Sequence, residues 1–88
     1  MMQETSLKAY EEVKESLGKR QKVIYAIIKM ASLQGKDITN LEITQFVNLP
    51  INSVTPRVFE LRQKDLVEEK RKRVCAVSGR RAIAWRVK

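Results

Sequence analysis

The sequence predicts a mainly α fold that ends in a small β-hairpin, an α+β domain organised around one core. Three observations predict it. Apolar residues recur at helical spacing through most of the chain, Ser, Thr, Asn, Gly and Pro fall where helices would start and stop, and after Asp65 the apolar pattern becomes alternating. At 88 residues the chain has room for one modest core and no second domain.

Residues 1–18 read as an amphipathic helix capped by Ser6, with Leu7, Tyr10, Val13 and Leu17 on one stripe and Gly18 as its stop. Its run Glu11, Glu12 and Glu15 suits packing, in cis or against a second copy, better than contact with a polyanion. Residues 19–33 form the central helix, with Val23, Ile24, Ile27, Ile28, Met30 and Ala31 toward the core and Lys22, Tyr25, Lys29 and Ser32 opposite. Gly35 to Asp37 make a turn. Thr39-Asn40-Leu41-Glu42 then reads as a capping box that opens a short helix from Asn40 to about Val47. Asn48-Leu49-Pro50 breaks it, and a third helix follows Ile51, capped by Asn52 or Ser53, with Pro56 in its first turn. Val54, Val58 and Leu61 face the core; Asn52, Pro56, Phe59, Glu60 and Gln63 face outward. In the hairpin, Cys75 and Val77 lie on the first strand, Ser78 to Arg81 form the turn, and Ile83, Trp85 and Val87 share one face of the second. Trp85 is expected in the core, and Phe59 beneath the hairpin.

Composition removes several classes of function. The chain has no His and a single Cys75, so neither the usual imidazole base nor a four-ligand zinc site can be assembled, and no intrachain disulfide forms. The expectation is no enzyme, no metal and no cofactor, with Cys75 acting as a small buried hydrophobe. No apolar run approaches the roughly 20 residues of a membrane span, and the polar, acidic N-terminus is unlike a secretory signal, which reads as a cytoplasmic protein.

Charge is more informative once located. Residues 1–69 hold ten basic and ten acidic residues, whereas residues 70–88 hold Lys70, Arg71, Lys72, Arg73, Arg80, Arg81, Arg86 and Lys88 with no acid. The formal +8 therefore belongs to the last segment. A one-signed cluster of this density raises the local concentration of polyanions.

Two short helices joined by a tight turn and followed by an antiparallel hairpin are the framework of a winged helix-turn-helix, here over residues 19–88 with an extra N-terminal helix. The stretch SVTPRVFELRQKDLVEE, residues 53–69, resembles the recognition helix and wing of MarR-like winged-helix proteins. Thr39 to Ile43, Val54 to Val58 and Cys75 to Arg80 together are more similar to small phage and prophage winged-helix proteins. One departure is Asp65, where the pattern has Gly before Leu66, which implies a less relaxed left-handed cap.

The resemblance implies a double-stranded DNA-binding protein, a phage or prophage transcriptional regulator, with helix 53–64 in the major groove and wing 70–88 on phosphates or the minor groove. The alternatives are a protein-interaction module and a replication or recombination accessory protein. The carried-over contacts are Ser53, Thr55, Arg57, Arg80 and Arg81. Side-chain chemistry adds Thr39, Asn52, Gln63, Arg71 and Arg73. Short polar residues at a helix start also serve as caps, Arg57 and Gln63 have the reach for guanine and adenine edges, and strand alternation lets only about half of Lys70 to Arg73 meet phosphate. A homodimer through the N-terminal helix would read two half-sites.

Overall fold

A computed structural model describes residues 17–88. The N-terminal helix expected over residues 1–18, and any dimer contact through it, lies almost wholly outside the described residues. The rest is an α+β domain of three helices and a three-stranded antiparallel sheet, in the order α1 (Lys19–Leu33), β1 (Ile38–Thr39), α2 (Asn40–Ile43), α3 (Ile51–Gln63), β2 (Val67–Val74), β3 (Arg81–Val87). The sheet order is β1-β3-β2.

α1 starts at Gly18, whose amide donates to the Gln21 side chain at 2.8 Å. It closes in a Schellman motif: the Gly35 amide reaches the Ser32 carbonyl and the Lys36 amide the Ala31 carbonyl, with Gly35 at φ +73°. The buried face runs through Ile24, Tyr25 and Ile28, rotated from the expected one. Tyr25 is inside, whereas Val23 and Met30 are 44% and 62% exposed. The cause is β3, which packs against α1 and whose Val87 amide donates to Ser32 Oγ at 3.0 Å, on the side expected to face solvent.

The capping box forms as the spacing predicts. Thr39 Oγ1 accepts from the Glu42 amide at 3.2 Å and Glu42 Oε1 accepts from the Thr39 amide at 3.1 Å. α2 nevertheless stops at Ile43 rather than near Val47. Thr44 turns its hydroxyl back onto the Leu41 carbonyl, and the Gln45 and Phe46 amides bond three residues back, which tightens the chain out of α geometry. α3 opens earlier than expected. Pro50 is its N-cap and its carbonyl accepts from Ser53 and Val54, so Asn52 and Ser53 are inside the first turn and cap nothing. Pro56 consequently falls in the second turn, where it has no amide hydrogen for the Asn52 carbonyl.

α3 ends in a second Schellman motif, with the Asp65 amide on Arg62 and the Leu66 amide on Leu61. Asp65 occupies the left-handed position at φ +64°, the strained cap expected there. The core joins Ile24 and Ile28 of α1, Ile43 of α2, Val54, Val58 and Leu61 of α3, all without solvent exposure, to Val67 and Trp85 of the sheet. At about 1.5–3 kcal/mol for each large aliphatic side chain fully buried, this cluster is the main stabilising element of a chain this short.

β1 was not expected. Ile38 and Thr39 pair with Trp85 and Ala84, which places the Thr39 cap against the sheet. β2 ends at Val74, so Cys75 and Val77 belong to the loop and Arg81 to β3, a correction to the expected turn at residues 78–81. The reason is hydrogen bonding: the Ala76 amide is taken by Glu42 Oε2 at 2.8 Å and cannot continue the ladder, while the Cys75 amide closes the loop on the Arg80 carbonyl.

Candidate nucleic-acid interface

α3 presents a face built from neutral side chains. With Val54, Val58 and Leu61 buried, Asn52, Pro56, Phe59 and Gln63 lie on the opposite side and are exposed, and Thr55 is exposed on the flank nearer the hairpin. Phe59 is 55% exposed and does not pack beneath the hairpin. Thr55 Oγ1 takes a long hydrogen bond, 3.4 Å, from Asn40 Nδ2.

The two arginines of α3 are drawn off this face. Arg57 grips Glu60 through Nε at 2.7 Å and Nη2 at 3.2 Å, and Gln21 of α1 donates to the same carboxylate at 2.7 Å. Those bonds, Arg57 first and Gln21 second, hold the Glu60 carboxyl below its usual range. Arg62 leans the other way, its guanidinium 5.6 Å from the Trp85 ring centroid. Ser53, half-buried, sits on the flank shared with Arg57.

The basic hairpin is divided by strand alternation. On one face Arg71 and Arg73 converge on Asp37, a carboxylate with 3% of its side chain exposed, at 2.8 and 2.6 Å. Arg73 uses all of its N–H groups: Nε on Asp37 Oδ1, Nη1 on Glu42 Oε2 and the Val74 carbonyl, Nη2 on Glu42 Oε1 and the Asp37 carbonyl. It has none to offer a phosphate. Burial by itself would raise the Asp37 carboxyl, but the hydrogen bonds from Arg73 and Arg71 outweigh it and bring it below its usual value. The Arg73 guanidinium, then the Ala76 and Thr39 amides, bring Glu42 down to about 2. Arg71 differs from Arg73 in that 60% of its side chain is exposed and only Nε is engaged among the described residues. Thr39 is 1% exposed, with Oγ1 on the Glu42 amide and 3.1 Å from Cys75 Sγ. Thr39 and Arg73 are therefore structural, contrary to the expectation that they touch a ligand.

The other hairpin face turns toward α3. Cross-strand register sets Val74 opposite Arg81, Lys72 opposite Ile83 and Glu69 opposite Trp85, so Lys72 and Arg81 share the side on which Trp85 meets Arg62. Arg86 and Lys88 are tied to Glu68 and Asp65. Lys72, Arg80 and Arg81 form no ion pair among the described residues. A groove of about 420 Å³ runs between α3 and β3, lined by Thr55, Arg80, Arg81 and Trp85.

The structure thus brings Asn52, Thr55, Gln63, Arg80 and Arg81 onto neighbouring exposed surfaces, sets Ser53 and Arg57 on the α1 flank, and withdraws Thr39 and Arg73 into the framework. Sequence reasoning missed Asp37 and Glu42 as the residues that absorb much of the hairpin charge. The signal was present as two acids just ahead of a basic block, but their partners lie 31 to 36 positions away.

These features define a small α+β domain with a basic hairpin beside an exposed helix. No protein-family model matches the sequence, and no curated protein matches it significantly. Among the described residues, no helix is long and apolar enough to cross a membrane, and no three metal-ligating side chains are grouped.

Proposed function

We propose that the chain is a sequence-preferring double-stranded DNA-binding protein of the winged helix-turn-helix type, acting as a transcriptional regulator of the phage or prophage kind. α3 enters the major groove, and the β2–β3 wing rests on adjacent phosphates or in the minor groove. The observation that carries this reading is the pairing of surfaces: an exposed helix face of groove-compatible side chains stands beside a hairpin whose Lys72, Arg80 and Arg81 form no ion pair among the described residues. The element order supports it, since β1 ties the start of the α2–α3 pair to the wing strand β3 and holds helix and wing in one frame.

The test is selection on random duplexes at two salt concentrations, with mass measured in solution. A recovered consensus whose affinity falls steeply with salt supports the reading. No duplex binding even at low salt refutes it. A second reading, a protein-interaction module, is favoured by a separate groove of about 550 Å³ bordered by Met30, Phe46 and Val77, which are 62%, 71% and 45% exposed. A stable protein complex at physiological salt without DNA affinity would select it.

A further inference from the structure

We propose that α3 is built to read A·T base pairs, with Phe59 and Thr55 against thymine methyl groups and Asn52 and Gln63 on adenine edges. This inference rests on the DNA-binding reading above and goes beyond it by naming the base pairs.

Guanine is read in the major groove chiefly by a free guanidinium or ammonium placed on O6 and N7. On α3 those groups are engaged elsewhere. Arg57 is closed by two hydrogen bonds on Glu60, a carboxylate that Gln21 of α1 also holds, and Arg62 lies over Trp85. What remains on the outward face and its hairpin-side flank is neutral: two carboxamides, a threonine methyl, a proline and a phenyl ring. Each has an A·T counterpart. A carboxamide matches the N6 donor and N7 acceptor of adenine, and a methyl or ring matches the C5-methyl that only thymine carries.

Phe59 is the decisive residue. A phenyl ring 55% exposed on the outermost face of a helix contributes little to the core and exposes apolar surface to water. Against a thymine methyl that surface is covered. Thr55 lies one turn before it, about 6 Å along the axis, so the two side chains meet base pairs about two steps apart. Asn52 and Gln63 bracket them at about 16 Å from each other, a span of about five base pairs.

The experiment uses the full 88-residue chain and the duplex recovered by selection, with each thymine in turn replaced by deoxyuridine, which deletes the methyl and keeps the pairing. The expected result is an A·T-rich core in the consensus and one or two thymines whose replacement weakens binding about fourfold each, as loss of a buried methyl implies. In Phe59→Ala, one of those penalties disappears while thermal stability is retained. Arg57→Ala leaves the consensus unchanged. Duplex binding with a guanine-centred consensus, or with uracil accepted as well as thymine at every position, overturns the A·T proposal and leaves DNA binding standing. No duplex binding at all overturns both.

Discussion

Arg73 donates Nη1 and Nη2 to the two carboxylate oxygens of Glu42, at 2.8 and 2.7 Å, and so joins the hairpin to the cap of α2. Glu42 is at the same time the N3 residue of the capping box and the acceptor for Ala76, where β2 gives way to the loop. One carboxylate therefore sets the start of a helix, the end of a strand and the position of the hairpin relative to α2. A change at this pair is a change in the frame that holds the candidate interface.

Acid should weaken this frame. Glu42 is held at about 2, below its ordinary 4.5, so its ionised form is favoured by folding. The stabilisation is fully present above pH 4.5 and is lost as pH falls toward 2, by about 3 kcal/mol if Glu42 acts alone. Asp37, whose carboxyl is also lowered, adds in the same direction. Urea midpoints measured from pH 7 to 2 should fall across that window, and Glu42→Gln should flatten the fall while lowering stability at pH 7.

Arg73 and Arg71 share Asp37 but should differ sharply on deletion. Arg73→Ala leaves Asp37 and Glu42 both without their main partner in a site where the Arg73 side chain is 21% exposed, and should cost about 3 kcal/mol. Arg71→Ala removes one bond from a side chain that is 60% exposed and should cost less than about 1 kcal/mol. Arg73→Lys should not rescue, because an ammonium cannot span both carboxylates with the same fork. Chemical denaturation of the three variants checks the order.

The proposed wing contacts have a separate signature. Arg80→Ala and Arg81→Ala should each reduce the slope of log affinity against log salt by about 0.9 while leaving the melting temperature in place, since neither residue makes an ion pair among the described residues. Thr39→Ala should do the opposite. It removes a cap and a buried hydrogen-bond partner of Cys75, lowering stability by about 1–2 kcal/mol with the salt slope unchanged. Salt titrations paired with thermal melts distinguish the two.

The two Schellman motifs provide an internal comparison. Gly35 and Asp65 hold the same left-handed position, at φ +73° and +64°. Asp65→Gly should gain up to about 1 kcal/mol by relieving backbone strain, read most clearly at high salt where the pair of Asp65 with Lys88 is screened. Gly35→Ala should lose about 1 kcal/mol, and since a Cβ there meets no atom within 4 Å the cost is purely conformational.

Much of the fold was legible because its signals are local. The capping box at Thr39 and Glu42, the core stripe Val54, Val58 and Leu61, the strained cap at Asp65 and the buried Trp85 follow from spacing or from the conformational demands of one residue. Boundaries were less legible. The start of α3 at Ile51 and the end of β2 at Val74 depend on which carbonyls and amides are already engaged, by Pro50 in one case and by Glu42 in the other.

By itself the sequence determined the α+β class, the concentration of positive charge in residues 70–88 and the outward placement of Asn52, Pro56 and Gln63 on α3, while Glu60, also expected outward, is half-buried and held by Gln21 of α1. Only the tertiary structure decided which of those charges stay free. Asp37 and Glu42 reach Arg71 and Arg73 because β1 pairs with β3 and lays the start of α2 against the hairpin, a juxtaposition of residues more than 30 positions apart. Helical and strand periods say which way a side chain points along its own element. They carry no information on what a different element will place in front of it, and electrostatic pairing is settled there.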